Sequence, residues 1–385
     1  MKVLHLCNLP LPVDHPDYGR VPYHRHPGRW VLNLAVAQKS HAGIEPEILV
    51  QVPGAAHQFD TMFDGIPVHF LAAPDRLRST TLFWFDARRL ASRISALRPD
   101  FVHAHGTEDA YGLAAQRSRF PHVITLQGIS FHINRIMSLP WASRARVVEL
   151  TEAICLRRAR DVIAKSEYVA MRLQEKFAHL TIHRIPNTID SRLLEIRERK
   201  EPNVIAFVGT IIPLKGLDLL GDALQMVRSK MPDVTLWVFG DHKDAPSEYE
   251  QGIKKRFRAI LGERVIFHGT LPNMEVARQV GRAAALVAPS REEMFGNQLV
   301  EALVVGTHGI VTEGTAMAEN VVRFGGGIVV AQEDANALAQ AIITAVTNPP
   351  HLPVAAVRKK IHDYMGPEVV ARHHYNLYLE LLNRS

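Results

Sequence analysis

The sequence predicts an α/β protein built from two doubly wound domains, each a parallel sheet with helices on both faces. Three observations lead there. At 385 residues the chain is too long for one ordinary core. Short apolar runs alternate with helical stretches along its whole length, and that alternation breaks once, near residues 186–202. In the first half the strand-like runs are Val3–Leu6, Glu47–Val52, Phe101–His105, His122–Leu126 and Asp161–Ala164. In the second they are Val204–Val208, Thr235–Phe239, Arg264–His268, Ala284–Ala288, Gly309–Val311 and Gly327–Val330. Strand, helix and strand in repetition mean parallel pairing through crossover helices, so two sets of five or six strands are expected.

The seam falls where Pro186, Asn187 and the charged run from Glu195 to Glu201 interrupt the pattern. This gives a first domain over 1–188, a second over 189–366 and a terminal segment over 367–385. Pro367–Leu382 reads as a last helix with Val369, Val370, Tyr375, Tyr378 and Leu381 on its apolar face. A hydrophobic content of 47% with 22% charged residues is that of a globular protein in water. No run reaches 18 apolar residues, so a membrane-spanning helix is not expected. Met1–Leu6 reads as a first strand and not as a signal peptide. Cys7 and Cys155 fit no metal spacing and are expected to be buried, reduced thiols of a cytoplasmic protein.

The formal charge of +6 is unevenly placed. Residues 1–190 hold 23 Lys and Arg against 17 Asp and Glu, whereas residues 191–385 hold 22 of each. No nucleic-acid-binding module accompanies the basic half. An anionic acceptor or an anionic membrane surface is the better match.

Residues 288–301, Ala-Pro-Ser-Arg-Glu-Glu-Met-Phe-Gly-Asn-Gln-Leu-Val-Glu, are the most informative stretch. A buried strand ending near Ser290 should lead through a Phe-Gly turn into an apolar helix over Gln298–Val305. Glu293 then sits on the loop, and Glu301 leans from the helix toward the same N-terminus. Two carboxylates beside free helix N–H groups suit a ligand that carries both hydroxyls and phosphate.

This stretch resembles the Glu-x7-Glu signature of the retaining glycosyltransferases of family 4, whose GT-B fold sets two Rossmann-like domains facing across a cleft. Val208-Gly209-Thr210 with Lys215-Gly216, Val238-Phe239-Gly240-Asp241 and Val265-Ile266-Phe267-His268-Gly269-Thr270-Leu271 resemble the family's successive strand ends. His103-Ala104-His105-Gly106 and Ile185-Pro186-Asn187-Thr188-Ile189-Asp190 resemble landmarks upstream. The match runs from about residue 100 to the end, and more weakly over the first hundred residues.

The resemblance implies roles for individual residues. Lys215 would meet the donor's diphosphate, Glu301 the ribose hydroxyls and Glu293 the hydroxyls of the transferred sugar. The backbone of Met294, Phe295 and Gly296 would complete the sugar and phosphate pocket. Leu271, with the backbone around Gly240 and Gly269, would wall the base, and Gly209 with Thr210, in the loop that leads to Lys215, would also bind the donor. His105 would reach acceptor or phosphate, with His103 on the opposite side in the core. Each has a structural alternative: Lys215 as a solvated lysine, Glu293 as a helix cap, His105 as a satisfied core histidine and Leu271 as plain core. Of the two adjacent carboxylates, the Phe-Gly register selects Glu293 over Glu292.

The chain departs from the family at three places. Thr210 stands where relatives keep an arginine, Gln127-Gly128 where many keep histidine-glycine, and Gly28-Arg29 where a Gly-Gly is usual. Gly28 is still expected at the end of the glycine-rich loop, and Gln127 still as a donor to sugar or phosphate. Asp-x-Asp is missing and the His and Asp clusters lack metal spacing, so no metal or other cofactor is expected. Lys215, helix N-termini and Arg20 or Arg29 would meet the diphosphate charge.

The resemblance thus implies transfer of a sugar from a nucleotide sugar, most commonly a UDP-sugar, to a glycan, lipid-linked or small-molecule acceptor. The leaving phosphate would help to deprotonate the acceptor on the front face. A catalytically silent nucleotide-sugar binder and a GT-B sugar-nucleotide epimerase are the alternatives. A Rossmann dehydrogenase lacks its Gly-x-Gly-x-x-Gly. Over residues 130–160, Arg135, Arg144, Arg146, Arg157, Arg158 and Arg160 outnumber Glu149 and Glu152, with Phe131, Ile136, Met137, Leu139 and Trp141 interleaved. That pattern suggests peripheral docking at the inner face of an anionic membrane; one solvated helix face is the alternative.

Overall fold

The computed structural model describes the chain except residues 12–14, 16, 18–28, 75–77, 108, 138–142, 242–245 and 385. The chain divides into two compact units, Met1–Ile189 with Tyr364–Ser385, and Asp190–Asp363.

The first unit is an eight-stranded sheet. In chain order its strands are β1 Lys2–Leu6, β2 Glu45–Pro53, β3 Phe59–Phe63, β4 Ile66–Ala73, β5 Phe101–His105, β6 His122–Thr125, β7 Asp161–Ala164 and β8 Thr181–Arg184. They lie in the order β3-β4-β2-β1-β5-β6-β7-β8, parallel except for β3. Eight strands replace the five or six expected, and the three that the pattern missed are of two kinds. β3 and β4 form a hairpin closed by Asp64-Gly65, both at positive φ (48° and 74°), as a tight two-residue turn demands. β8 is a short, largely exposed edge strand without an apolar signature.

Val3, Leu4 and Leu6 are wholly buried, as expected of a central strand covered on both faces. On one face the helix Arg29–His41 sends Val31, Leu32 and Ala35 into a core with Ile48, Val50 and Phe70. The terminal helix Pro367–Leu382 belongs to this unit and packs on that same helix. Proline opens it, where the missing N–H costs nothing. Val370, His374, Leu377, Tyr378 and Leu381 form its buried side, while Val369 and Tyr375 are only half-buried.

The second unit is a six-stranded, all-parallel sheet. Its strands are β9 Glu201–Val208, β10 Thr235–Phe239, β11 Val265–Gly269, β12 Ala283–Ala288, β13 His308–Thr312 and β14 Gly327–Val330, in the order β11-β10-β9-β12-β13-β14. Leu217, Leu220 and Leu224 of the helix Leu217–Lys230 meet Phe207, Leu236, Val238, Phe257, Leu338 and Ile342 in its core.

Doubly wound sheets bind ligands beyond the carboxyl ends of the strands, where the strand order reverses. That point lies between β1 and β5 in the first unit, and between β9 and β12 in the second. Among the described residues no helix is long and apolar enough to cross a membrane.

Candidate active site

In the second unit the reversal point brings together residues 78 positions apart. Lys215 closes a single 3-10 turn, Pro213–Lys215, just after β9, and Glu293 follows β12. Their Nζ and Oε2 stand 2.6 Å apart, with both side chains mostly shielded from water. Gln298 Nε2 donates to the same oxygen at 3.0 Å, and the Phe295 backbone N–H also donates to this carboxylate. Burial alone would raise the Glu293 pKa; the Lys215 charge and these hydrogen bonds outweigh it and hold the group below the usual range. Glu293 is therefore a carboxylate already neutralised by the lysine expected to meet phosphate. Glu292 is 1% exposed and turns inward.

Backbone constraints fix this pair. Gly216 has φ 67°, and a Cβ there would collide with the Pro289 carbonyl oxygen, so only glycine lets the Lys215 turn lie against the strand end. Arg291 clamps the same junction. Its backbone N–H donates to Leu214 O at 2.9 Å, and its guanidinium meets Pro213 O, Asp218 and Glu333. Gly296, at φ 80°, opens the helix Asn297–Val304, one residue earlier than expected at each end. Asn320 Nδ2 on Phe295 O (2.6 Å) and Ala316 N on Glu293 O (3.0 Å) hold the loop. The side chains of Met294 and Phe295 are buried, so any ligand meets their backbone.

Glu301 sits one turn into that helix and is half-buried. Asn273 Nδ2, from the start of the next helix after β11, approaches Oε1 at 3.4 Å. Burial pushes the Glu301 pKa from 4.5 up to about 7; Asn273 opposes the rise and Asp190 adds to it. Leu271 is half-buried after β11, and Thr210 is exposed after β9. The ends of β9, β10 and β11 are bare backbone. Gly209 N bonds Phe239 O and Gly240 N bonds Gly269 O, and a Cβ on Gly240 (φ 96°) would stand 2.8 Å from Gly209 O. Asp241, two residues beyond β10, is 2% exposed and bound to Lys254 at 2.8 Å and to the Gly269 N–H. It braces the sheet.

In the first unit the reversal point holds a chain of buried polar groups. Gln38 Oε1 meets His5 Nε2 (2.8 Å), and His5 Nδ1 meets His105 Nε2 (2.9 Å). Gln38 Nε2 donates to the Tyr378 hydroxyl (3.0 Å), which meets His103 Nδ1 (2.7 Å), and His103 Nε2 meets Thr125 Oγ1 (2.6 Å). The Gln38 oxygen only accepts, which assigns the tautomers in turn. His5 carries its proton on Nε2 and accepts on Nδ1, so His105 carries its own on Nε2 and keeps Nδ1 as an acceptor. Burial lowers the pKa of His5 and His374 to about 4, and those of His103 and His105 well below normal, so all four are neutral. His105, Thr125, Asn187, Thr188, His374 and Trp30 border a cavity of about 10 Å³, room for one water.

Several expectations are corrected here. His103 does not face away from His105: residues two apart on a strand share a face, and the rings stack at 4.0 Å. His5, His103 and His105 also bring three candidate ligand nitrogens within 4.8 Å, a cluster that linear spacing concealed because His5 comes from another strand. The hydrogen bonds above occupy His5 and His103 through both ring nitrogens. Arg29 is spent on Asp64 (2.9 Å) and on the Phe63 ring. Glu152, counted among the surface charges, is 1% exposed and accepts from Thr107 and Ser130. Gly28, Arg20, Leu139 and Trp141 lie outside the described residues.

The sequence reading missed Lys165, which directly follows β7, is 6% exposed and donates to Gln127 Oε1. Its one signal was a lysine terminating the apolar run Val162-Ile163-Ala164.

Residues 202–348 match the family model described as Glycosyl transferases group 1, and residues 27–193 that described as Glycosyltransferase Family 4. A D-inositol 3-phosphate glycosyltransferase of Jonesia denitrificans is 25% identical over 252 residues, 60% of this chain and 59% of that protein. A glycogen synthase of Mycobacterium tuberculosis is 27% identical over 263 residues, 66% of this chain and 61% of its own. The chain thus spans about three-fifths of the length of these relatives. Sucrose-phosphate synthase from Thermosynechococcus elongatus matches in structure with a TM-score of 0.80 at 18% identity, over 100% of both chains. Anabaena HepE in complex with UDP-glucose matches at 0.71 and 17%, again over 100% of both. The fold is GT-B.

Proposed function

Because the chain belongs to the family 4, group 1 glycosyltransferases, we propose that it transfers a sugar from a nucleotide-diphosphate sugar to an acceptor hydroxyl with retention of anomeric configuration and without a metal ion. The donor is a UDP-sugar and the acceptor a glycan, a lipid-linked glycan or a small molecule. One observation carries this reading: the Lys215–Glu293 pair, 2.6 Å apart at the strand-order reversal of the second sheet. Two solved neighbours, HepE with UDP-glucose and an E. coli protein bound with UDP-2-fluoro glucose, support the donor class.

The residues divide the work by their chemistry. An arriving diphosphate exchanges places with the Glu293 carboxylate on the Lys215 ammonium, and Glu293 is then released to accept from the sugar hydroxyls. The N–H groups at the start of Asn297–Val304 add the positive end of a helix. Glu301 accepts from the ribose, and Leu271 lies along the base. Negative charge on the phosphate grows as the sugar–phosphate bond breaks, so Lys215 stabilises the transition state more than the ground state. The leaving phosphate oxygen takes the proton of the acceptor hydroxyl as that hydroxyl attacks on the same face. No protein carboxylate acts as a nucleophile. In the first unit, His105 offers neutral Nδ1 as an acceptor for a substrate hydroxyl. A cytoplasmic location belongs to the same reading, supported by the free, buried thiols of Cys7 and Cys155.

Thr210 and Gln127, at positions where relatives keep charged or titratable groups, favour a second reading: a binder that does not turn over. A panel of labelled nucleotide sugars assayed in EDTA separates the two. Transfer or hydrolysis that persists in EDTA, with a retained anomer by NMR, is the expected result. Collapse that only magnesium or manganese reverses would overturn the metal-independent assignment. Nucleotide binding with neither transfer nor hydrolysis would establish the second reading.

A further inference from the structure

Lys165 and Gln127 extend from the carboxyl ends of the neighbouring strands β7 and β6 in the first unit. The Lys165 ammonium donates to Gln127 Oε1 and stands 5.2 Å from the centre of the Trp30 ring. An ammonium can only donate, so it draws the amide oxygen toward itself and turns Nε2 the other way. That Nε2 is buried and has no hydrogen-bond partner. Buried donors in folded proteins are nearly always paired, and an orphan asks for a ligand oxygen. The charge is also felt nearby, because Lys165 is among the groups that depress the pKa values of His103 and His105. A cationic donor and a neutral N–H held in fixed orientation at the end of a parallel sheet favour one ligand chemistry. An oxyanion gains from both; a cation or an apolar group gains from neither.

We propose that Lys165 and Gln127 form a phosphoryl-oxygen site in the first unit, in which Lys165 supplies charge and orients the Gln127 amide. The inference rests on the glycosyltransferase reading only for the source of the phosphoryl group, which is either the donor's diphosphate or a phosphate on the acceptor. Titration calorimetry on the full chain distinguishes the sources, with UDP in one arm and inorganic phosphate in the presence of saturating UDP in the other. Gln127→Glu is the discriminating variant. It keeps and strengthens the contact with Lys165 but replaces the N–H donor by a negative oxygen, so a purely structural pair would tolerate it.

Gln127→Glu and Lys165→Met should each weaken one anion by about tenfold or more, with the melting temperature of Gln127→Glu at or above that of the wild type. Weakened UDP assigns the donor's diphosphate, and weakened inorganic phosphate assigns the acceptor. Unchanged affinities for both anions in a folded Gln127→Glu protein would overturn the site, whatever becomes of Lys165→Met. Failure of the wild type to bind UDP would count against the glycosyltransferase reading, while inorganic phosphate titrated alone into the wild type and Gln127→Glu would still decide this one.

Discussion

Glu301 titrates at about 7 in the native protein against an ordinary 4.5, because burial disfavours its charge. Between those values the native state holds a proton that the unfolded chain has already released. The contribution of this group to stability is therefore fully present below 4.5 and is lost as pH rises through 7. At 1.36 kcal/mol per pH unit the full interval is worth at most about 3 kcal/mol, and less to the extent that water reaches the half-buried side chain. Glu301→Gln keeps the shape and removes the titration. Urea unfolding at pH 5 and pH 8 should show the wild type losing up to about 3 kcal/mol relative to the variant across that range. Nucleotide binding should show the converse. Ribose hydroxyls donate to a carboxylate, so UDP affinity of the wild type should rise up to about pH 7, with proton release detectable in buffers of different ionisation heat. The same pH dependence in Glu301→Gln as in the wild type would refute both the assignment and its physical cause.

Lys215→Ala should cost about 1.5–3 kcal/mol of transition-state stabilisation, roughly ten- to 150-fold in kcat/KM; an unchanged value would remove Lys215 from the diphosphate. Thr210→Arg should preserve or raise UDP affinity measured by calorimetry, since Thr210 is exposed and has room for a longer side chain; a marked loss would mean that the pocket is built around the smaller residue. His5 and His374, held near 4 against an ordinary 6.5, lend the first unit stability that is present above pH 6.5 and lost as pH falls through 4. Acid titration followed by near-ultraviolet circular dichroism should register that loss, and a flat signal down to pH 4 would contradict it. Arg144, Arg157 and Arg158 are exposed with Leu150 on one helix, so the chain should sediment with anionic liposomes at low salt, less as salt rises, and less again in Arg144→Glu.

The alternation of apolar runs determined the second sheet and the five central strands of the first, because buried parallel strands must be apolar on both faces and so stand out in a sequence. Local chemistry also determined the loop after β12. Phe295-Gly296 fixes a left-handed helix start, which puts Glu293 on the turn and Glu301 on the helix whatever surrounds them. The β3–β4 hairpin left its mark only in the turn Asp64-Gly65, which the alternation of apolar runs does not register, and the edge strand β8 left none, since edge strands bury little and need no pattern. Only the tertiary structure decided who neutralises whom. Lys215 and Glu293 meet because β9 and β12 are neighbours across a reversal of strand order. His5, His103, Gln38 and Tyr378 join one buried network although 340 residues separate the last two. Lys165 became a site residue only when β7 was laid beside β6. Periodicity and turn chemistry act between residues a few positions apart, so a sequence displays them directly. Charge pairing, tautomer and pKa depend on distances of a few ångströms between residues remote in the chain, and folding alone sets those distances.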